Sequence, residues 1–341
     1  MTPPPVVGGA VPAGGRRRRR MVGAPLLVAV AVLVLAEGTM RVGRSYLATP
    51  SVWPAPEMQK KYDQIVARAA SGQRTEVVLV GDSLMDVAGD PAGLKAVGAG
   101  GGIYNASVAG ETLPTIAEWT TKVVVPRLHP KVVVVGLSSN ELNPSVLTLP
   151  SVAAYDASRA VRAAEGTASL ADRGDALLRR WSMLYRYRAS LRPSFGPPVF
   201  DPPLSRDGHD LAFASLKYLQ DGGVKRSRLV ISSVIAGLKG FAVGPKNVAI
   251  LQAMLTTLHG QGIRVLLVAM PATADLVSFH PDGAADYRRA MASFAAIARR
   301  SGARFEDAGV WPVTEFADPV HLNGVGTVRF SSYLAPLLRQ T

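Results

Sequence analysis

The first residues whose types and spacing suit chemistry are Gly81, Asp82 and Ser83, which directly follow the apolar run Glu76–Val80. A serine at the turn between a strand and a helix projects its hydroxyl above the sheet, where an adjacent base can make it a nucleophile. The same residues also fit a turn and a helix N-cap, in which the serine only bonds to backbone N–H groups. The tripeptide alone does not separate these two interpretations.

Three later groups of residues favour the chemical interpretation: Asn105–Thr112, Gly136–Glu141 and Asp318–His321. The first two follow predicted strands, and the carboxyl ends of parallel strands meet at one edge of a sheet. The third group can fold over that edge. Its Asp-x-x-His spacing can bring a carboxylate and an imidazole together in one turn, and a histidine base needs such a partner to fix its tautomer.

The elements that must position these groups are short β-branched apolar runs, with helical patterns between several of them. The candidate strands are Glu76–Val80, Ile103–Ala106, Val132–Val135, Ile263–Ala269 and Ala303–Glu306. This alternation predicts an α/β fold with a doubly wound, five-stranded parallel sheet and helices on both faces. Residues 150–245 exceed what a simple crossover needs, so we expect an insertion there.

Taken together in this order, the four groups resemble the motif blocks of the SGNH, or GDSL, hydrolase family, over roughly residues 76–338 without the insertion. The resemblance implies the strand order 2-1-3-4-5. It also implies a serine esterase or acyltransferase that works through an acyl-enzyme. Two departures are visible: Glu141 stands where the family usually has Asp, and the stretch from Gly136 to Asn140 is longer than the usual Gly-x-Asn.

The resemblance also implies roles for individual residues. Ser83 would be the nucleophile, His321 the base, and Asp318 the carboxylate that orients His321. The Ser83 amide, the Gly110 amide and the Asn140 side-chain amide would form the oxyanion hole. Such a site needs preorganised donors for the charge that develops on the substrate oxygen, and an uncharged amide and a close backbone N–H are suitable donors.

The other histidines fit the role of base less well. His280 follows the fourth strand with Asp282 nearby, so it is the one serious rival to His321. His129 precedes the third strand, at the opposite end of the sheet, and His259 falls in the last turn of a predicted helix. We expect His209 to lie in an exposed, proline-rich part of the insertion.

The N-terminus predicts an exported protein. Residues 1–20 form a tail that ends in the cluster Arg16–Arg20, and residues 21–40 are apolar except for Glu37. Twenty helical residues span about 30 Å, the thickness of a bilayer's hydrocarbon core. Because arginines stay cytoplasmic, residues 41–74, a linker and first helix, and the domain at 75–341 would lie outside. A cleaved signal peptide is the alternative.

Within the insertion, a basic amphipathic helix is predicted. The apolar positions at helical spacing are Leu177, Leu178, Trp181, Leu184, Tyr185 and Leu191, and the surrounding arginines are Arg179, Arg180, Arg186, Arg188 and Arg192. Such a helix can pack its apolar stripe on the core or rest on an anionic lipid or polymer surface. We expect the insertion to govern substrate access or surface docking and to contribute no catalytic group.

Composition excludes several classes of protein. The chain has 341 residues, 48% of them hydrophobic and 18% charged, which rules out disorder throughout. It has no cysteine, so disulfides, thiolate metal sites and a cysteine nucleophile are excluded. The net charge of +13 includes five arginines at 16–20, and no nucleic-acid recognition module accompanies it, so we expect no nucleic-acid partner. We predict no cofactor and no metal, and no protein partner is indicated.

The leading hypothesis is an extracytoplasmic serine hydrolase, tethered to the cell membrane, that cleaves an ester such as an O-acyl group on a cell-envelope carbohydrate. An O-acyltransferase would use the same residues, because water or an acceptor hydroxyl can resolve the same acyl-enzyme. A catalytically silent envelope-binding domain is the third hypothesis. The sequence leaves the acyl chain, the alcohol component and the acceptor open.

Overall fold

In the computed structural model, the described residues are 23–43, 53–188, 203–212, 231–232 and 234–340. The chain forms two compact units. One consists of Met1–Pro50 and Leu177–Ser194, and the other of Ser51–Ala176 and Phe195–Thr341. The first unit therefore combines the N-terminal segment with part of the predicted insertion.

The larger unit contains a five-stranded parallel sheet in the order β2-β1-β3-β4-β5. The strands are β1 Val77–Gly81, β2 Ile103–Asn105, β3 Val132–Leu137, β4 Arg264–Ala269 and β5 Arg304–Asp307. Their ends differ from the predicted runs by one or two residues. The α/β class, the parallel sheet and the strand order are thus confirmed.

The helices before, between and after the strands are mostly short. They are α1 Gly23–Gly43, α2 Pro56–Ala70, α3 Ser83–Ala88, α4 Pro91–Ala96, α5 Leu113–Glu118, α6 Val125–Leu128, α7 Pro150–Ala157, α8 Arg159–Ala164, α9 Leu170–Trp181, α10 Met183–Tyr187, α11 Pro245–Gly260, α12 Ala274–Ser278, α13 Ala284–Arg300 and α14 Gly324–Gln340. A π-helical turn, Trp119–Val124, joins α5 to α6. Short 3-10 helices cover Ser139–Leu142, Pro144–Thr148 and Val313–Glu315.

The centre of the sheet forms the core. Every residue of β1 and β3 is buried, as expected for continuous apolar runs in a parallel sheet covered on both faces. At the carboxyl end, Gly81 pairs with Gly136 in register. A Cβ on Gly81 would lie 2.3 Å from the Gly136 carbonyl oxygen, so only glycine permits this approach. The close contact lets β1 and β3 end side by side, directly below Ser83.

Two expectations about the insertion are wrong. His209 is buried, because residues 203–212 fold back on the sheet: Asn105 N donates to Asp207 O at 2.8 Å, and the His209 ring contacts Val87 O at 2.9 Å.

The second wrong expectation is the single amphipathic helix, which is instead two helices, α9 and α10. They are separated at Ser182, whose side chain accepts from Tyr185 N and caps α10. Leu191 and Arg192 lie outside the described residues.

The predicted apolar N-terminal helix is present as α1. Within it, Pro25–Gly43 has a mean hydropathy of 1.9 and only 6% of its span is buried. Length and composition are therefore sufficient to cross a bilayer, and a signal sequence would meet the same criteria. A helix of the protein core would be mostly buried, which α1 is not.

Candidate active site

The turn after β1 places Ser83 at the start of a helix. Asp82 is the N-cap of α3, and its Oδ1 accepts a hydrogen bond from Leu84 N at 2.9 Å. The capping role of the motif therefore belongs to Asp82, which is buried. Ser83 is the first helical residue and is half-buried, so its hydroxyl stands free of the cap at the carboxyl end of the sheet. The N-cap interpretation of Ser83 is therefore wrong, because Asp82 is the cap.

His321 contacts Ser83 on one side and Asp318 on the other. Its Nε2 lies 2.9 Å from Ser83 Oγ, and its Nδ1 lies 2.8 Å from Asp318 Oδ2 and 3.0 Å from Oδ1. With the carboxylate on Nδ1, that nitrogen carries the proton, and Nε2 is left to accept from the serine hydroxyl. Ser83 and His321 are 238 residues apart in the sequence, and the fold brings them together with Asp318.

The Asp318 carboxylate is itself held in place. Its Oδ1 accepts from Val320 N at 3.0 Å and from His321 N at 2.9 Å, so the loop folds around it. Burial raises the pKa of Asp318, but the bond and charge of His321 and these backbone donors outweigh it, and the pKa lies below its usual value. Asp318 is therefore a carboxylate anion that can stabilise a protonated His321.

The loop that carries His321 is anchored on both sides. Thr273 Oγ1, after β4, donates to Pro319 O at 2.7 Å. Asn323 Nδ2 donates to Thr314 O and Phe316 O, while its Oδ1 accepts from Val325 N and Gly326 N at the start of α14. Asn323 thus closes the loop and begins the last helix. These bonds fix the imidazole position without any group from the insertion.

The second motif block has a supporting role. Asn105, the last residue of β2, is fully buried, and its Nδ2 donates to the carbonyl oxygens of Met85, Asp86 and Gly89 at 2.8–3.1 Å. Its Oδ1 accepts from Ser107 N at 3.0 Å. Asn105 therefore ties the end of α3 to the loop that leads to Gly110. Gly110 has a φ of +78°, which glycine adopts readily, and it is exposed at this edge.

A buried ion-pair network supports the same loop, and sequence reasoning missed it. Lys61 of α2 is fully buried, and its Nζ contacts the Asp86 carboxylate and the Ser107 carbonyl oxygen. Glu57 Oε1 lies 3.2 Å from Lys61 Nζ, and Glu57 Oε2 accepts from Ala109 N at 3.1 Å. Although burial acts to lower it, the charges of Asp86 and Glu57 raise the pKa of Lys61. The charged side chains of α2, with Asp86 of α3, therefore hold residues 107–109, directly before Gly110, in place.

The third block places Asn140 after β3, in the 3-10 helix Ser139–Leu142. Asn140 Oδ1 accepts a hydrogen bond from Ser138 Oγ, and this contact fixes the amide with its oxygen turned to Ser138. Asn140 is half-buried, whereas its neighbour Ser139 is buried. Its Nδ2 donates to no other described residue, so this group remains a donor for a ligand.

Glu141, the departure from the family pattern, is a buried structural group. Its Oε2 accepts from Leu113 N at 2.6 Å, at the start of α5, and Asn247 Nδ2 donates to its carbonyl oxygen at 2.8 Å. Burial first, and then the charge of Asp82, raise the pKa of Glu141 well above its usual value. Burial also raises the pKa of Asp82 to about 6 and that of Glu111 to about 7. The charges of both Asp82 and Glu111 act on Glu141, so three carboxyl groups with raised pKa values lie near one another.

His280, the rival base, has different surroundings. Its Nδ1 faces the carbonyl oxygens of Leu276 and Val277 at 3.2 and 3.3 Å, and its Nε2 is buried with no hydrogen-bond partner among the described residues. None of these hydrogen bonds to the His280 ring involves Asp282. Ser139 Oγ, likewise buried and without a partner among the described residues, is inaccessible to a substrate. Ser83, in contrast, is half-buried, and its hydroxyl is hydrogen-bonded to His321.

The remaining histidines have structural positions. His129 is the C-cap of α6 with a φ of +47°, and His259 lies in the last turn of α11. The described part of the chain contains no group of three or more His, Cys, Asp or Glu side chains that could hold a metal ion.

A half-buried serine bonded to a histidine that is bonded to a buried carboxylate is the arrangement by which serine hydrolases activate their nucleophile. Solved structures similar to this chain include a lipase/acylhydrolase from Enterococcus faecalis (12% identity, TM-score 0.38, covering 78% of this chain and 96% of that chain). Another is an inhibitor-bound aryl esterase of M. smegmatis (13% identity, TM-score 0.37, covering 78% of this chain and 99% of that chain). A third is a carbohydrate acetylesterase family member from Sinorhizobium meliloti (14% identity, TM-score 0.35, covering 78% of this chain and 98% of that chain).

At identities of 12–14% and TM-scores of 0.35–0.38, these similarities assign no chemistry to this chain. No family model matches the chain, and no curated protein matches it. The assignment of chemistry therefore depends on the side-chain geometry of this chain.

Proposed function

We propose that this protein is a serine hydrolase that cleaves carboxylic esters through an acyl-enzyme. The observation that carries the proposal is the hydrogen-bonded series from Ser83 Oγ to His321 Nε2 at 2.9 Å and from His321 Nδ1 to Asp318 at 2.8 Å. A neutral serine is a weak nucleophile, and this geometry supplies the base and the group that orients it.

In the proposed mechanism, Ser83 Oγ attacks the ester carbonyl carbon while His321 Nε2 takes the hydroxyl proton. The Asp318 anion stabilises the imidazolium that results. The Ser83 N–H, the Gly110 N–H and Asn140 Nδ2 would bind the oxyanion, and they follow β1, β2 and β3 at one edge of the sheet. His321 then protonates the departing alcohol. Water, activated by the same imidazole, releases the acid and restores Ser83.

The location of the reaction follows from the N-terminus. We infer that α1 is an uncleaved anchor, with Arg16–Arg20 on the cytoplasmic side and the larger unit outside. The substrate class we expect is an ester reachable from the outer face of the membrane, such as an O-acyl group on a cell-envelope carbohydrate. A reporter fused after Thr341 tests the orientation, since one that functions only in the cytoplasm should be inactive.

The activity is tested on the purified full chain with a panel of p-nitrophenyl and carbohydrate esters of increasing acyl length. We expect ester turnover that is lost in Ser83→Ala and kept in Ser139→Ala. Adding an acceptor alcohol separates hydrolysis from transfer, because both consume the same acyl-enzyme. If a folded Ser83→Ala protein turns over esters as fast as the unmodified chain, the proposal is wrong.

A further inference from the structure

The first unit of the molecule joins the apolar helix α1 to part of the insertion through Glu37. The Glu37 carboxylate accepts hydrogen bonds from Ser182 Oγ at 2.9 Å, Met183 N at 2.7 Å and Leu184 N at 3.1 Å. A second bond runs from Arg41 to Trp181 O at 3.0 Å. The end of α1 that is farther from Arg16–Arg20 is therefore hydrogen-bonded to the junction between α9 and α10.

Residues 177–188, which we call the basic segment, combine positive charge with exposed apolar surface. They include four arginines and no acidic residue. Leu177, Leu178 and Trp181 are 57%, 51% and 69% exposed, so the alternative in which this stripe packs on the core is wrong for these three residues.

The positions of these side chains on the helix are those of an interfacial helix. At about 100° per residue, Leu177, Leu178 and Trp181 share an arc of roughly 100° on α9. Arg180 lies about 60° beyond one edge of this arc, whereas Arg179 lies on the opposite side of the helix. Leucine and tryptophan on one side, with an arginine at its border, suit a helix that lies in the plane of a membrane surface.

We propose that the basic segment docks on the outer surface of the phospholipid bilayer that α1 crosses. The leucines and Trp181 would enter the headgroup region, and Arg180 and Arg186 would meet lipid phosphates. Two observations select this occupant. The Glu37 bonds hold the segment beside the outward end of α1, where the bilayer surface must lie if α1 spans it, and the segment's charge is opposite to that of phosphate.

The proposal goes beyond ester hydrolysis and depends on α1 as an anchor. It implies that the insertion gives the protein a second contact with the membrane. The contact of the basic segment is weak alone, and it gains from the high local concentration that the α1 anchor imposes. Docking of the same face on a second copy of the chain, or on another protein, is an alternative outcome that the following experiment distinguishes.

The test measures tryptophan fluorescence of the full chain, reconstituted in vesicles of phosphatidylcholine and phosphatidylglycerol. Part of the phosphatidylcholine is brominated near the headgroup end of its acyl chains, because bromine quenches only tryptophans that enter the bilayer. The chain has four tryptophans, and the other three, Trp53, Trp119 and Trp311, are buried at 6%, 3% and 5% exposure in the larger unit. We expect bromolipid to quench the emission of Trp181 alone.

Trp181→Phe should abolish the bromolipid-dependent quenching, and Trp311→Phe, the matched control, should keep it. Arg180→Gln with Arg186→Gln should weaken the quenching in vesicles that contain phosphatidylglycerol. Equal quenching in the unmodified chain and in Trp181→Phe would overturn the proposal. A Trp181 emission that is shifted to the blue but insensitive to bromolipid would also overturn the proposal. It would indicate that the segment docks on a protein surface. Neither readout depends on esterase activity, so the two proposals fail separately.

Discussion

Two histidines follow neighbouring strands of the same sheet, and their surroundings differ in kind. His321, after β5, has a carboxylate on Nδ1 and a serine hydroxyl on Nε2. His280, after β4, faces helix carbonyl oxygens with Nδ1 and packs against the rings of Phe241 and Tyr287, with centroids 5.0 and 6.0 Å away. One loop gives each nitrogen a partner that suits proton transfer, whereas the other surrounds the ring with apolar groups.

The difference shows what a base requires beyond its position in the chain. Burial lowers the pKa of His280, which makes it a neutral ring in an apolar setting. Among the described residues, Nδ1 contacts only the carbonyl oxygens of Leu276 and Val277, and neither is an anion that would stabilise an imidazolium. His321 has that anion in Asp318, whose own pKa lies below its usual value because, although burial opposes this, His321 and backbone donors bind it. A histidine becomes a candidate base through the polar groups that its loop brings to both nitrogens.

The largest effect should separate the two histidines directly. In His321→Ala, Ser83 loses the group that takes its proton, and we expect ester kcat/KM to fall by about 10⁴-fold or more. In His280→Ala we expect less than about a tenfold change, since this ring contacts no proposed reacting group. The measurement is p-nitrophenyl acetate hydrolysis by folded variants. The reverse order would move the base to His280.

A second comparison uses the carboxylate that lies nearest each histidine in the sequence. Asp318→Asn keeps the shape of the loop, but the wrong tautomer of His321 and the loss of the anion should lower kcat by about 10⁴-fold. Asp282→Asn is the matched control: its side chain is 70% exposed and lies 3.7 Å from Arg289 Nη2. We expect nearly unchanged turnover in that control. If the two substitutions cost the same, the carboxylate has been assigned wrongly.

The third comparison concerns adjacent residues after β3. Asn140→Ala removes one proposed oxyanion donor and should lower kcat by about 10²–10³-fold, with a smaller change in KM. Ser139→Ala should have a small effect on turnover, because the Ser139 hydroxyl is buried. Steady-state kinetics of the two variants, with circular dichroism to confirm folding, gives the answer. A larger loss in Ser139→Ala would contradict the oxyanion assignment.

The fourth change tests the network behind the Ser83–His321 site. Lys61→Met removes the cation that contacts Ser107 O and leaves Glu57 and Asp86 buried together. We expect kcat per titrated active site to fall by about tenfold, because the loop before Gly110 loses its support. Active-site titration is essential here, since a folding defect alone would lower the titrated fraction and leave kcat per site unchanged. Lys60→Met, one residue away, is the control.

The smallest effect is a pH dependence of stability near the site. Burial holds the pKa of Glu111 at about 7 in the folded chain, above its usual 4.5. The folded state therefore binds more protons between these values, and stability from this group falls as pH rises through that window. At about 1.4 kcal/mol per pKa unit, Glu111→Gln should recover up to about 3 kcal/mol at pH 8 relative to pH 5.

Urea unfolding of the detergent-solubilised full chain at the two pH values measures this difference. Glu118→Gln, in which the original carboxylate is 42% exposed, should leave the pH dependence of unfolding close to that of the unmodified chain. An unchanged pH dependence in Glu111→Gln would show that Glu111 does not titrate in this window.

Short-range patterns predicted the residues that the fold brings together at the candidate site. Ser83 stands at a strand-to-helix turn, and Asp318 and His321 share one turn, so their spacing was enough to select them as candidates. Lys61 gave no such signal. With Glu57 four residues earlier, it has the pattern of an exposed helical ion pair, and only the distant Asp86 and Ser107 make it a buried group. His209 was misplaced for the same reason, because its partner Val87 O is 122 residues away.

The most direct test of the central claim is to identify the residue that a serine-directed fluorophosphonate probe modifies in the full chain. Mass spectrometry of the digested adduct should find the probe on Ser83. The adduct should be absent in Ser83→Ala and should form much more slowly in His321→Ala, because the hydroxyl then has no base. A probe adduct on Ser139, or labelling that persists undiminished in a folded Ser83→Ala protein, would contradict the account.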